Sequence, residues 1–528
     1  MRFSIIYFLL FVFSLHGQEF KYAIEIDTVA IPQMGGIQSF SVGQWNGYWL
    51  IIGGRLDGLH RRQPWATFDE AGHNRDLIVL SPEQKKVWKS SLSTFTPDLQ
   101  EQLGSTNIQF IQKDSTLYLV GGYGISKQKD DHTTFPFLTT VNLPQAISMI
   151  VAGQEPSIAF NQFRDERFAL TGGQLTLMDD WFYLVGGHNF EGRYNPMDNP
   201  TFTQTYSCEV RRFMVENNSG VTQISWKEAI RDENLMHRRD FNVLPQIQDG
   251  TQSLVAFSGV FQREMNIPYL DAVEIDRDHI HEIPAFAQYY NHYHCATIAL
   301  HDPESNNMYN LFFGGIAHYY DSLGMLVQDN DVPFTPAVSL VQIEGGYRLK
   351  EFQLPVKLPG YFGAASEFIP NPKLRSYSNE VIDLSAIQNR RVLLGHILGG
   401  IQSSAANVFW VTEGEGSIAS SVLFPVYLTK VDKSVAVINE QSNNGLQLQV
   451  MTDPVEQTLS LGFHLLVKTD VLITLTKDNK VIWKKKLKKL EPSHISKILK
   501  CKKFKRGDVL ELNFTSINYS VKQILVVR

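Results

Sequence analysis

The sequence repeats a short apolar run that ends in two small residues, and no other feature restricts the fold as strongly. The run occurs six times, over residues 48–54, 117–122, 182–187, 255–259, 311–315 and 392–400. Five copies end in Gly-Gly and the fourth ends in Ser258-Gly259. Each run is too short for a helix and apolar on both faces, which is typical of a strand buried between two layers. The six copies predict six equivalent units.

The spacing of these copies points to a repeat architecture. Successive glycine pairs are 68, 65, 72, 56 and 85 residues apart. These intervals exceed the ~50 residues of a kelch repeat, but a glycine pair after an aromatic or aliphatic strand resembles the kelch family closely. The resemblance implies an all-β fold, a six-bladed kelch-like β-propeller. Physical reasoning agrees, because four short antiparallel strands bury their faces only when such sheets stack around an axis.

The two ends of this region predict how the ring closes. Residues 22–32 and then 35–42 have the same pattern as residues 347–355 and then 360–368, where an outer strand leads into the inner strand of the next blade. We therefore expect the N-terminal segment to provide the outer strand of the sixth blade and to cover its open edge. In the second blade, we expect residues 147–152 to form the outer strand.

Loop length separates the two faces of the expected disc. Turns between first and second strands are short except in the sixth blade, where residues 369–390 form an insertion, whereas connections between second and third strands are long. The long connections are residues 55–75, 123–136, 188–204, 261–268, 316–336 and 401–419. Antiparallel order puts all of them on one face, and rigid scaffolds usually carry their sites on loops. We expect function on this long-loop face.

The beginning of the chain has the pattern of a secretory signal peptide. Met1-Arg2 precedes an apolar run over residues 5–15, which is too short to span a bilayer, and Gly17 follows as a small residue. We place the signal at residues 1–17 and expect a secreted or cell-surface protein without a transmembrane helix. The net charge of −6 over 528 residues gives no argument for nucleic-acid binding.

Cysteine content gives no sign of a disulfide framework. Cys208, Cys295 and Cys501 are odd in number, widely spaced and without a Cys-x-x-Cys motif. We expect three small buried side chains and predict no metal site and no cofactor.

The glycine pairs stop near residue 430, where the composition changes. Short alternating runs between residues 434 and 527 predict a small antiparallel β-sandwich. Residues 473–483, 507–512 and 522–528 resemble the C-terminal sorting domain of Bacteroidetes proteins exported by the type IX secretion system. Gly507-Asp508-Val509 replaces that family's usual Gly-x-Tyr. The resemblance implies contact with the export machinery, and the alternative is an accessory sandwich.

These boundaries divide the chain into three parts. They are a signal peptide at residues 1–17, a propeller at residues 18–430 and a C-terminal β-sandwich at residues 431–528. The sequence leaves open whether the last part is cleaved after export.

The long-loop face is predicted to concentrate guanidinium, imidazole and aromatic groups. By position, the candidates for ligand binding are Arg55, His60, Arg62, His188, Arg193, Arg239, His292, His294, His318 and Tyr319. Arginine binds carboxylates with paired hydrogen bonds, and aromatic faces stack on sugar rings. This inventory predicts an extracellular carbohydrate ligand, acidic glycans included. The alternative for each arginine is an ion pair that ties loops together, with Asp57, Asp69, Asp240 or Asp271 as partner.

Enzymatic and scaffold functions stay open as alternatives. His292 and His294 are two residues apart on a strand, as two metal ligands would be, and the kelch family includes a copper radical oxidase that uses two histidines. The family also includes sugar mutarotases, for which Glu264 beside Arg263, or His188 with Glu191, would supply acid and base. A scaffold that binds an extracellular protein is the third alternative.

Overall fold

The computed structural model describes residues 20–61, 63, 65–195, 201–218, 221–322, 325–409, 415–431, 438–440, 448–453, 457–465, 468–491, 493–501, 503–505, 507–516 and 520–527. The predicted signal peptide and Arg62 lie outside these residues. The described chain is all-β and mostly antiparallel, as predicted, with α-helix confined to Pro97–Leu103 and Leu143–Val151 and with five short 3-10 turns. None of its helices has the length and apolar character needed to cross a bilayer.

Six sheets with four main antiparallel strands follow one another along the described part of residues 20–430, and we number them 1 to 6. Sheet 1 contains Ser41–Trp45, Tyr48–Ile52, Asp76–Ser81 and Lys86–Ser91; sheet 2 contains Gln109–Lys113, Thr116–Val120, Phe137–Asn142 and Phe160–Arg164; sheet 3 contains Gln174–Met178, Trp181–Val185, Glu209–Asn218 and Val221–Trp226; sheet 4 contains Asn242–Gln248, Thr251–Phe257, Ala272–Ile275 and Ile280–Glu282; sheet 5 contains Ala296–Asp302, Asn307–Phe313, Ala337–Glu344 and Arg348–Lys357; sheet 6 contains Tyr361–Pro370, Arg391–Ser403, Val422–Lys430 and Tyr22–Ile26. Strands are paired in this order within each sheet.

Short strands extend three of these sheets. Ile230–Arg231 joins sheet 3, Val29–Ala30 and Ser417–Ala419 join sheet 6, and Ile382–Asp383 and Ile438–Glu440 join the two edges of sheet 5. Two-stranded hairpins occupy two of the long loops, Tyr123–Ser126 with Asp131–Thr134 and His188–Glu191 with Thr203–Tyr206.

The outer strand of sheet 2 is Phe160–Arg164, so the prediction of a strand at residues 147–152 was wrong. Those residues belong almost entirely to the helix Leu143–Val151. Asn142 Oδ1 accepts a hydrogen bond from the N–H of Gln145 at 3.1 Å, which satisfies one of the free donors of the first turn and favours a helix start. The apolar side of the helix packs into the core between sheets 1 and 2.

The N-terminal strand completes sheet 6, as predicted. Tyr22–Ile26 pairs antiparallel with Val426–Lys430. Phe20 precedes this strand and is 1% exposed, with its ring centroid 4.9 Å from that of Tyr309 in sheet 5. The two ends of the repeat region therefore lie in one sheet, and its edge is covered.

The glycine pairs join each sheet to the next. All twelve residues of the six pairs, Ser258 included, have positive φ, which glycine adopts without steric cost. The N–H of the second residue in each pair donates to a carbonyl of the segment that leads into the following sheet, at 2.8 to 3.1 Å. The acceptors are the carbonyls of Ser105, Leu170, Arg238, His292, Phe362 and Ile37. Since the last pair bonds to the segment before sheet 1, these contacts form a closed cycle.

The second strands of these sheets are buried on both faces. Leu50, Ile51 and Ile52 in sheet 1 are all fully buried, and the equivalent strand of sheet 5 has the same pattern. Neighbouring sheets cover both faces, which explains why the runs are continuously apolar. Burial of each such side chain contributes about 1.5–3 kcal/mol.

Two packed antiparallel sheets form the C-terminal sandwich, residues 448–527. One contains Leu448–Asp453, Thr458–Leu465 and Ser493–Lys500, and the other contains Thr469–Lys477, Lys480–Leu490, Val509–Thr515 and Ser520–Val526. Apolar side chains from both sheets share one core, in which the rings of Phe463 and Phe514 are 4.9 Å apart. The sequence predicted this sandwich but missed Ser493–Lys500.

The sandwich is joined to sheet 5 through that sheet's long second-to-third loop. This loop forms a hairpin of Tyr319–Ser322 and Met325–Gln328, which we call the sheet 5 hairpin. Val327 of the hairpin pairs in parallel with Ile524 of the sandwich. A single six-stranded sheet therefore runs from the hairpin into the sandwich.

Side chains of the hairpin strengthen this junction. The amide group of Gln328, which is 2% exposed, donates to the carbonyl of Val450 and accepts from its N–H at 3.2 Å. The Tyr319 hydroxyl donates to the carbonyl of Leu448 at 3.1 Å. Both side chains thus replace strand hydrogen bonds at the edge of the sandwich.

Candidate ligand-binding site

The first strands of the six sheets contact one another in a closed ring, and residues just before these strands or in their first half form a floor. Backbone hydrogen bonds of 2.7 to 3.2 Å link five neighbouring pairs of these residues. The floor consists of Ser39, Asn107, Gly172, Asp240, His294 and Ala365. The remaining link runs from Thr171 Oγ1 to the Asn107 carbonyl at 3.1 Å.

A cavity of about 330 Å³ lies on this floor. Each of the six long second-to-third loops contributes at least one lining residue, so the cavity opens on the long-loop face. Five of the ten sequence candidates line it, namely Arg55, His60, His188, Arg239 and His294.

Aromatic side chains form one wall of the cavity. His60 stacks on Phe68 with centroids 5.4 Å apart, and Tyr194 packs edge-on against both rings. Phe190 packs against Tyr194 at 5.8 Å. The wall combines loops of sheets 1 and 3, and its faces suit the C–H surface of a sugar or another flat apolar group.

Arg193 connects these two loops and does not line the cavity. Its Nε donates to the carbonyl of Thr67 at 2.7 Å, and the Thr67 hydroxyl donates to the carbonyl of Tyr194. Arg193 therefore ties two loops together, but through a backbone carbonyl and not through the ion pair that the sequence analysis gave as the alternative for the arginines.

Arg55 reaches the cavity wall, but its guanidinium group is fully engaged. Nε donates to Asp57 Oδ1 at 2.7 Å, a second N–H donates to the other oxygen of that carboxylate, and both terminal nitrogens lie 3.3 Å from the Asp69 carbonyl. Because the residue is 1% exposed, Arg55 supports the loop of sheet 1.

Arg239 is a cavity-lining arginine whose Nε–H has no acceptor within the described residues. One terminal nitrogen pairs with the Asp240 carboxylate, and the guanidinium carbon lies 5.5 Å from the ring centroid of Phe261. Its Nε is buried and has no hydrogen-bond partner within the described residues. An unpartnered buried donor costs about 1–3 kcal/mol, and a ligand oxygen accepts from Nε only after a side-chain movement that opens this atom to the cavity.

The pKa values of two histidines on the cavity are shifted in opposite directions. Gln204 Nε2 donates to His188 Nδ1 at 2.6 Å, so a neutral His188 carries its proton on Nε2. Burial and the neighbouring Arg239 charge hold the pKa of His188 well below 6.5. Burial also opposes the charge of His294, but Glu367, whose Oε1 lies 3.2 Å from His294 Nε2, outweighs that effect and raises its pKa.

The candidates His292, His318 and Tyr319 lie away from the cavity. His292 Nε2 is 2.6 Å from the Gln288 carbonyl, and its Nδ1 accepts the N–H of His318 at 2.7 Å. His318 Nε2 is 2.8 Å from Asn330 Oδ1. Burial lowers the pKa of His292 to about 3 and that of His318 to about 4. These histidines brace the loops of sheet 5, while Tyr319 bonds to the sandwich.

The groups considered for catalysis are not assembled in the cavity. Both ring nitrogens of His292 are already hydrogen-bonded, so it does not form a ligand pair with His294 in this structure. Glu191 accepts from the Thr133 hydroxyl at 2.9 Å. Neither it nor the exposed Glu264 lines the cavity.

Sequence reasoning missed most of the lining. The missed side chains are mainly aromatic or lie at the floor, among them Phe68, Tyr123, Phe190, Phe261, Tyr293, Phe409 and Asn107. In the sequence, only their position marks these residues as candidates, because each lies in a long loop or close to the start of a first strand.

Comparisons with known proteins assign this chain to no family. No protein-family model matches the chain. No curated protein matches it. A solved structure titled "Structure of YjhT" is 11% identical, with a TM-score of 0.41, and the match covers 76% of this chain and 98% of that chain. A likeness this weak supports no conclusion about function.

Proposed function

We propose that this chain is an exported, six-bladed kelch-like propeller that binds a small carboxylated carbohydrate outside the cell. Six sheets of four main strands in the described chain, the closing N-terminal strand and the cycle of glycine contacts support the propeller. The C-terminal sandwich serves export or attachment in this proposal.

The surroundings of Arg239 are the main support for a carboxylated sugar as the ligand. Its guanidinium group has an unpartnered buried Nε within the described residues and lines a cavity with an aromatic wall. A carboxylate accepts charge-assisted hydrogen bonds from arginine, while aromatic faces cover the apolar side of a sugar ring. Phosphate would satisfy the charge equally well but gives no use for the aromatic wall.

Cavity size restricts the ligand further. About 330 Å³ is near the lower end of the ~300–1,000 Å³ range of small-molecule pockets. A small sugar or a terminal sugar unit fits this range, and a long polymer would have to present its end.

Binding of paired sugars tests the proposal. The wild-type chain is titrated with hexuronic acids and with the corresponding neutral hexoses, and the measurement is repeated with Arg239→Gln. We expect preference for the acids and a loss of about 10- to 100-fold in Arg239→Gln, since hydrogen bonds to charged groups are worth about 1.5–3 kcal/mol. Arg263→Gln is the matched control, because this exposed arginine lies outside the cavity and pairs only loosely with Glu233, at 3.6 Å.

Four results would contradict the proposal. Equal binding of acids and neutral sugars, or equal affinity of wild type and Arg239→Gln, would remove the role of the guanidinium group. Conversion of a bound sugar would favour the enzyme alternative. Failure of every sugar to bind would favour a protein-interaction scaffold.

A further inference from the structure

Three metal-ligating side chains meet at the outer hairpin of sheet 4, and none of them lines the cavity. Asp276 follows the third strand, and His279 and His281 flank Ile280 at the start of the fourth. One ligand atom from each lies within 4.8 Å of the other two. In the described part of the chain, no other group of three His, Cys, Asp or Glu side chains meets this spacing.

The register of the hairpin explains why these side chains meet. Asp276 donates its N–H to the carbonyl of His279 at 3.1 Å, and His281 lies opposite Glu274. Side chains alternate between the two faces of a strand, so these four residues share one face. Ile275 and Ile280 take the opposite face, where Ile275 is fully buried.

The Asp276 carboxylate is already oriented toward both histidines. Its Oδ1 accepts the N–H groups of Asp278 and His279, both at 2.7 Å. Its Oδ2 lies 3.0 Å from His281 Nε2, and Oδ1 lies 3.5 Å from His279 Nδ1. Ligand bonds of ~2.0–2.1 Å in a tetrahedral zinc site place neighbouring ligand atoms about 3.3 Å apart, so only small side-chain movements are needed.

Contacts with sheet 3 hold the turn in place without an ion. Arg277 Nε lies 2.7 Å from Asp179 Oδ2, and a terminal nitrogen of Arg212 lies 3.1 Å from Asp278 Oδ1. Both guanidinium groups already have carboxylate partners, and neither pairs with Asp276. The fourth strand, Ile280–Glu282, has only three residues and is the shortest outer strand among the six described sheets.

We propose that Asp276, His279 and His281 bind a divalent transition-metal ion, with Zn²⁺ the best fit, and that the ion fastens the short outer strand of sheet 4. Two imidazole nitrogens and one carboxylate oxygen match the ligands that zinc takes, whereas Ca²⁺ and Mg²⁺ prefer oxygen alone. Glu274 shares a hydrogen bond with Tyr347, so water takes the fourth position. The site is independent of the sugar cavity.

Zinc titration of the untagged full chain, treated first with a chelator, tests this site. At about pH 7.5 we expect one Zn²⁺ per chain, with affinity about tenfold or more lower in His279→Ala and in His281→Ala. Both side chains are exposed, so the variants should keep the melting temperature of the metal-free wild type. Glu282→Gln is the matched control, because it changes the next residue of the same strand, which faces the other way.

Cobalt absorption provides a second readout that does not depend on the variants. Co²⁺ bound to the wild type should give a visible ligand-field spectrum that zinc displaces. Absence of stoichiometric zinc binding, or unchanged affinity in both histidine variants, would overturn the proposal.

Discussion

The repeat sheets and the C-terminal sandwich are both antiparallel, but they cover their strands differently. In sheet 1, Leu50, Ile51 and Ile52 are consecutive and all buried. In the sandwich strand Thr469–Lys477, buried and half-buried residues alternate. A strand whose sheet is packed between two other sheets has two covered faces, and a strand in a two-sheet sandwich has one. The pattern of apolar residues along a strand therefore indicates whether one or both of its faces are covered.

The two regions also treat buried carboxylates differently. Glu351 in sheet 5 accepts the N–H groups of Tyr289 and Tyr290, with no cation among its partners, and burial raises its pKa to about 8. Asp508 in the sandwich bonds to Lys477 Nζ at 2.7 Å, and this bond lowers its pKa. The regions should consequently respond to pH in opposite directions.

Removal of the closing contact should have the largest effect. Phe20→Ala opens a cavity between the N-terminal strand and sheet 5, so we expect a loss of about 3–5 kcal/mol in the free energy of unfolding. Urea denaturation measures it. Val481→Ala in the sandwich, a residue that is 62% exposed, should change stability by less than about 0.5 kcal/mol. A loss as small as this in Phe20→Ala would show that the N-terminal strand does not close the repeat region.

The dependence of stability on pH tests the contrast between carboxylates. The folded pKa of Glu351 lies above its unfolded value of about 4.5, so its contribution is lost as pH rises from about 4.5 to 8, by at most ~1.4 kcal/mol per unit. Denaturation at a series of pH values should give a flatter profile for Glu351→Gln. Asp508 has a lowered pKa, so its contribution is lost as pH falls below its unfolded value of about 3.8, and Asp508→Asn should remove that acid sensitivity. Identical profiles for wild type and Glu351→Gln would contradict the raised pKa of Glu351 as the cause of this pH dependence.

The junction between the regions should respond more weakly. Gln328→Ala leaves the N–H and carbonyl of Val450 without partners, and we expect a loss of about 2 kcal/mol in docking of the sandwich. Calorimetry should then show a separate, earlier transition for the sandwich. Gln252→Ala, which removes a hydrogen bond to the exposed Ser378 hydroxyl, is the control and should give the same calorimetric trace as the wild type. An unchanged trace for Gln328→Ala would mean that the parallel strand pair alone holds the junction.

Local sequence patterns were sufficient to predict most strands. The glycine pairs mark positions of positive φ, and the preceding runs are apolar because both faces are covered. The failure at residues 147–152 arose because a six-residue apolar run has no distinguishing period, while the helix signal lay outside it at Asn142. The true outer strand, Phe160–Arg164, carries polar residues on a half-exposed edge and has no strong pattern.

The cavity was less predictable because its parts meet through tertiary structure. Arg239 and His188 were found from residue type and loop position, but Asn107 and Gly172 contribute backbone to the floor, and side-chain chemistry does not reveal that role. The position of Tyr319 was unpredictable for a related reason. The sandwich to which its hydroxyl bonds begins more than one hundred residues later in the sequence.

The parallel pairing of Val327 with Ile524 has a consequence for maturation. Removal of the sandwich by a protease would uncover the edge of the strand Met325–Gln328 at Val327 and Gln328 and leave the buried Gln328 amide facing water. Such an uncovered edge accepts a strand from another polypeptide readily. Trimmed molecules would therefore be prone to pair with each other, and in the full chain the last strand of the sandwich covers that edge.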